Sequence, residues 1–198
     1  MCCRYVILET LYELLENFPG LGFQDTRMYY GDVHPADPAP IIFGTGNRIS
    51  PNASLQMKEM HWGFASKNQG GLLINARAES AMQKPSFRNS IQYHRCVIPA
   101  SAFYEWDSQK EKVTFSWEKH PVMFMAGCFQ PQEDGNHFVI LTTEANNSMR
   151  PVHDRMPLIL PPESVEDWIY DDQSTTSYLK TVPPELHLYR PYQQLSLF

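Results

Sequence analysis

Apolar and polar residues follow two rhythms along this chain. Leu11, Leu14, Leu15 and Phe18 recur at helical spacing and stop at Pro19-Gly20, which predicts a short helix opened by the capping-box pattern Thr10-Leu11-Tyr12-Glu13. Three later runs, residues 122–129, 137–143 and 157–160, are apolar over strand length with turn residues between them, and predict a buried β core. Residues 31–53 hold Pro35, Pro38, Pro40 and Pro51 with Gly31, Gly44 and Gly46, and read as loop broken by one short strand, Ile41-Ile42-Phe43. Pro161-Pro162-Glu163, followed by Val165, Trp168 and Ile169, reads as a helix start with proline in the first turn and acids near the positive end of the dipole. Strands cluster here instead of alternating with helices. The pattern therefore predicts an α+β fold: a strand-rich single domain with antiparallel sheets and a few flanking helices.

A length of 198 residues fits one domain, expected over 1–190 with a tail at 191–198. Hydrophobic residues at 42% against 19% charged exclude a disordered chain. No apolar run reaches the roughly 18 residues of a membrane helix, and the start is followed by Glu9, Glu13 and Glu16, so neither membrane span nor signal peptide is expected and a cytoplasmic location is. Cys2, Cys3, Cys96 and Cys128 show no CxxC pair, so neither zinc site nor disulfide framework is expected. The net charge of −6 argues against gross binding to nucleic acid, but it is unevenly spread. Lys67, Arg77, Lys84, Arg88 and Arg95 face a single acid, Glu79, between 67 and 95, while acids dominate from 161 onward.

Candidate chemistry starts at Cys2. Removal of Met1 would give Cys2 a free α-amine beside its thiol, and an α-amine with a pKa near ~8 is partly unprotonated at neutral pH. Such a 1,2-aminothiol condenses with an aldehyde to an imine, on which the thiol closes to a five-membered thiazolidine. Cys2 is otherwise simply a tolerated second residue. Glu105, in Ala102-Phe103-Tyr104-Glu105-Trp106, has an apolar setting suited to acid/base work, or is a strand glutamate facing water. His153 lies in Val152-His153-Asp154-Arg155-Met156-Pro157 directly before an apolar strand; His34, His61, His94, His120, His137 and His187 compete with it. In Ile74-Asn75-Ala76-Arg77-Ala78-Glu79, alternation puts Asn75, Arg77 and Glu79 on one face of an extended segment.

In order along the chain, Met1-Cys2-x-Arg4, His61-Trp62-Gly63-Phe64, residues 74–79, Arg95-Cys96-Val97-Ile98-Pro99-Ala100 running into Phe103-Tyr104-Glu105-Trp106, and His153-Asp154-Arg155-Met156-Pro157-Leu158 resemble the SOS-response-associated peptidase (SRAP) family. The resemblance implies a sensor that crosslinks covalently to abasic sites in single-stranded DNA through a thiazolidine on the mature N-terminal cysteine. It implies Cys2 as nucleophile, Asn75 orienting the N-terminal residue, Glu105 as acid/base near amine and sugar, and His153 assisting ring opening. Arg4 and Arg77 match positions that hold DNA phosphates; Arg155 is a further expected DNA contact, and Arg48, a departure from the family pattern, is expected to add another. The aldehyde is already the electrophile, so no metal or organic cofactor is expected.

The chain departs from the family pattern in three places. Cys3 stands where glycine is usual, Arg48 where asparagine is usual, and Ser66-Lys67-Asn68-Gln69-Gly70-Gly71 replaces a loop that commonly carries tryptophans. The end, Gln194-Leu195-Ser196-Leu197-Phe198, is similar to the short peptides by which bacterial repair proteins dock on the sliding clamp, with Gln194, Leu195, Leu197 and Phe198 as anchors; equally, it reads as a last strand capping the core. Clamp docking implies association with replication forks. Two other functions compete: a cysteine peptidase or N-terminal-nucleophile amidohydrolase using Cys2, and a non-catalytic single-strand binder.

Overall fold

The structure, a computed structural model, describes residues 2–24, 28–46, 53–66 and 70–190. Arg48, Lys67 and the proposed clamp-binding residues Gln194, Leu195, Leu197 and Phe198 lie outside the described residues. In chain order the elements are β1 (Tyr5–Ile7), α1 (Thr10–Glu16), β2 (Leu21–Phe23), β3 (Gly31–Val33), β4 (Pro38–Thr45), β5 (Ser54–Trp62), β6 (Phe64–Ala65), β7 (Leu72–Leu73) and β8 (Asn75–Arg77). There follow α2 (Ala78–Ala81), α3 (Pro85–Tyr93), β9 (Arg95–Ala100), β10 (Ala102–Trp106), β11 (Lys112–Ser116), β12 (Met123–Gln132) and β13 (Gly135–Glu144). The last are β14 (Arg155–Pro157), β15 (Ile159–Leu160), α4 (Val165–Tyr170), α5 (Thr175–Tyr178) and β16 (His187–Tyr189).

The larger sheet runs β14-β13-β12-β9-β4-β5-β2, with β15 on β12 and β8 on β13. A parallel pairing of His137 with His61 and Phe138 with Trp62 joins β13 to β5. Strands β13, β12, β9, β4 and β5 therefore close into a ring, which removes the unpaired edges of an open sheet. The second sheet runs β16-β11-β10-β1-β3. Only Ser101 separates β9 from β10, so one stretch of chain leaves the ring and enters the second sheet, carrying Glu105 with it. All six residues of β9 are buried, as expected of a strand covered on both faces. Trp62, Phe64, Phe103, Phe115, Phe138 and Trp168 fill the core.

Arg95, counted above in the basic stretch, is instead 5% exposed and organises two helix ends. Its Nη1 donates to the carbonyls of Ile91 and Gln92 at the end of α3; Nε and Nη2 donate to those of Trp168 and Ile169 in α4, and Nη2 also reaches Asp172 at 2.7 Å. One cation thus satisfies helix-end carbonyls that have no partner within their own helices, where positive charge is also favoured by the dipole.

The predicted α+β, strand-rich class and the strands at 122–129 and 137–143 match the fold, as does the helix after Pro161-Pro162. Three details differ. Residues 31–46 hold β3 and an eight-residue β4, more strand than the single short run at 41–43 expected there. Thr10 makes no capping hydrogen bond; the helix starts from Glu9, and Leu14 faces solvent at 41%. Glu79 does not share an extended face with Asn75 and Arg77, because the chain turns helical at Ala78.

Burial keeps the thiols of Cys96 and Cys128 protonated, pushing both well above the ordinary thiol range. An unfolded chain releases those protons above about pH 8.5, so it binds fewer than the native state there, and stability falls as pH rises. Thermal melting between pH 7 and 10 is expected to show a decline reaching roughly 1.4 kcal/mol per pH unit for each such thiol. A Cys96→Ala/Cys128→Ala variant should show a shallower slope, whatever its absolute stability.

Candidate active site

Four separated parts of the chain meet near its start. Cys2 is fully buried, and the Asn75 amide Nδ2 donates to the Cys2 carbonyl at 2.7 Å. Asn75 itself is placed by β8, which pairs in parallel with β13 through Ile140. The residue before it is fixed independently, since the indole Nε1 of Trp62 donates to the Ile74 carbonyl at 2.9 Å. Asn75 Oδ1 is buried and has no hydrogen-bond partner among the described residues.

Glu105 is 3% exposed on β10, settling the sequence alternative in favour of the inward carboxylate. Tyr5 of β1 pairs in register with Phe103, so Tyr5, Phe103 and Glu105 occupy one inward face while Arg4 and Tyr104 occupy the other. Glu105 is close enough to act on Cys2: burial first, and the negative charge of Glu105 second, push the Cys2 thiol far above its ordinary range. Cys2 Sγ lies 3.8 Å from the carbonyl of Arg4, to which the thiol donates. Its resting state is therefore a neutral thiol beside a carboxylate, held by its own main chain.

His153 lies in the turn before β14 with its side chain 27% exposed. Its Nδ1 accepts the Arg155 N–H at 2.9 Å, and Asp154 Oδ1 lies at the same distance. The strand after this turn pairs with β13, the strand that also carries β8. Of the competing histidines, His137 is occupied structurally, between the Gly63 carbonyl and Asp134 at 2.8 Å each.

The three described arginines expected at DNA differ in their situations. Arg77 is exposed at the end of β8 and borders a cleft of about 390 Å³ with Glu144, Ala145, Arg150, Asp154 and Arg155. Arg4 has a third of its side chain exposed, lies 3.8 Å from Asp32 and stands 5.3 Å from the centre of the Trp106 ring. Arg155 lines the same cleft but is largely buried: both Nη atoms bind the Glu79 carboxylate, and Nη2 also donates to the Thr142 carbonyl at 2.6 Å. These bonds hold Glu79 below the ordinary carboxylate range. Two site features escape the sequence pattern, Asp32 as the partner of Arg4 and the buried phenol of Tyr5. Nothing in linear spacing signals the first. The second is visible there only as a tyrosine in an apolar strand.

A ringed, strand-rich α+β domain with a thiol, an amide and a carboxylate converging on its second residue is the class that fold and site define. The chain belongs to the family described as SOS response associated peptidase (SRAP), whose family model matches residues 1–195. It is 28% identical over 196 residues to the abasic site processing protein YoqW of Bacillus subtilis, covering 92% of this chain and 86% of that protein. It is likewise 28% identical over 189 residues to the abasic site processing protein YedK of Escherichia coli, covering 88% and 82%. A crystal structure of a Bordetella bronchiseptica protein shares the fold at a TM-score of 0.77 and 21% identity, covering 97% of this chain and all of that one.

Proposed function

We propose that this protein captures abasic sites in single-stranded DNA, through Cys2 once Met1 has been removed. The observation that carries the reading is the grip of Asn75 on the Cys2 carbonyl beside a buried Glu105, an arrangement that fixes the position of an N-terminal amine. The names of the relatives, abasic site processing proteins, support the substrate.

The chemistry follows from the groups present. The α-amine attacks the aldehyde carbon of the ring-opened sugar, a C–N bond forms, and the former carbonyl oxygen leaves as water to give an imine. The thiol sulfur then bonds to the same carbon while its proton passes to the nitrogen, closing a thiazolidine with no net oxidation or reduction. Glu105, adjacent to the thiol, carries that proton, a step suited to a positioned carboxylate. His153 assists the sugar's ring opening. Arg77 binds a flanking phosphate directly, and Arg4 does so by exchanging Asp32 for the phosphate. Arg155 stays with Glu79 and supports the strand ends.

A peptidase using the Cys2 thiol is the rival suggested by the family description. Peptidase nucleophiles act as thiolates in electropositive surroundings. Here burial and Glu105 oppose the thiolate, whereas capture led by the amine does not need it.

To test the proposal, the mature protein is mixed with a single-stranded oligonucleotide carrying one abasic site, with the same site reduced by borohydride, and with the undamaged sequence, then heated in detergent. A one-to-one shifted band is expected with the first alone. Equal shifts with all three, or none with the first, would overturn it.

A further inference from the structure

A polar group next to the proposed centre has no use in the chemistry described so far. The hydroxyl of Tyr5 is buried and has no hydrogen-bond partner among the described residues, on a side chain that is itself 0% exposed. Buried polar groups are nearly always paired, so an unpaired one needs an explanation. A phenylalanine would fill the same volume without a stranded hydroxyl, and replacing an unsatisfied polar group by an apolar isostere is expected to be neutral or stabilising.

Geometry places the hydroxyl's owner inside the site. Tyr5 is three residues from Cys2 and sits opposite Phe103, which makes Glu105 its diagonal neighbour on the same inward face of the β1–β10 pair. Its ring packs 5.3 Å from that of Trp62, the residue whose indole anchors the carbonyl just before Asn75. Burial first, and the nearness of Cys2 second, raise the Tyr5 phenol, which keeps its proton. Of the polar groups named beside Cys2, Glu105 offers a carboxyl, and one of the two Asn75 amide N–H donors is spent on the Cys2 carbonyl.

Resting on the reading above, we infer that Tyr5 is a further catalytic residue, whose hydroxyl donates to the oxygen on the sugar carbon under attack. As the α-amine adds to the aldehyde, the electron pair of the C=O moves onto that oxygen, and a donor there stabilises the developing charge and hands over the proton that makes it a hydroxyl. The same hydroxyl then leaves as water when the imine forms, taking a proton from the nitrogen by way of Glu105. The phenolate recovers its proton from the remaining N–H as the iminium becomes the imine, and no oxidant or reductant enters. The ligand class is an open-chain aldehyde sugar, and the unpaired phenol is the site's recognition element for its carbonyl oxygen.

The test compares mature wild-type protein with Tyr5→Phe on the single abasic oligonucleotide, following crosslink formation over time from pH 6 to 9, alongside thermal melting. Tyr5→Phe is expected to melt at or above the wild-type temperature and to crosslink roughly 10- to 100-fold more slowly, the scale of losing one donor to a developing oxyanion or a little less. Binding to the undamaged strand should be unchanged. Wild-type rates in a normally folded Tyr5→Phe protein would overturn the inference while leaving the capture reading intact. Absence of crosslinking by the wild type itself would instead remove the reading on which it rests. A lowered melting temperature with slow crosslinking would assign the hydroxyl a structural role and also overturn it.

Discussion

Mature Cys2→Ala protein is expected to give no heat-stable crosslink to abasic DNA, yet to be trapped on it by borohydride. The variant keeps the α-amine and the Asn75 hydrogen bond, which is made to the Cys2 main chain. Imine formation therefore survives, but the imine hydrolyses on heating because no sulfur closes on it. Cys2→Ser should behave in the same way, since an oxygen in that ring gives a labile product. Borohydride reduces the C=N bond and restores the band, separating loss of ring closure from loss of binding. The result that excludes the proposal is a heat-stable band from Cys2→Ala without reductant. Blocking the α-amine by acetylation should abolish both products, because everything begins with nitrogen attack.

Arg95→Ala is expected to be the most destabilising single change outside the apolar core. It removes the shared donor from the ends of α3 and α4 at once and leaves buried carbonyls unsatisfied, each costing about 1–3 kcal/mol. A total of roughly 3–5 kcal/mol is expected, as for other disrupted buried charge networks. At about 2–4 °C per kcal/mol for a domain of this size, melting should fall by roughly 6–20 °C. Arg95→Lys keeps the charge but puts its donors on one atom, which cannot span both helix ends, so an intermediate loss is expected. A change under about 1 kcal/mol by denaturant titration would refute the capping role.

Much of this architecture is legible in the residue pattern. The runs at 122–129 and 137–143 belong to the ring and are buried on both faces over most of their length, which favours uninterrupted apolar sequence. β4 is hidden by its prolines. Pro38 and Pro40 pair only with β5, and β9 joins β4 only at Ile42 and Phe43, so the missing N–H groups fall where no second neighbour needs them. α3, absent from the expected elements, nonetheless carries readable signals in Pro85 at its start and in buried Phe87, Ser90 and Ile91 at helical spacing. Cys2, Asn75 and Glu105 can be nominated from residue type, but their convergence depends on the β8–β13 and β1–β10 registers, which no local pattern encodes. The fates of Arg95 and Arg155 are unreadable for a related reason: local sequence says nothing about which arginines find partners more than 70 residues away.

The route by which β8 is held has a consequence for the timing of biosynthesis. Asn75 is stationed by Ile140, so the earliest-made reactive residue is housed by one of the later strands. While the ribosome is still short of β13, a nascent chain has its cysteine but no seat for it. The seat for Cys2 should therefore be completed late in translation, when most of the domain is able to fold around it.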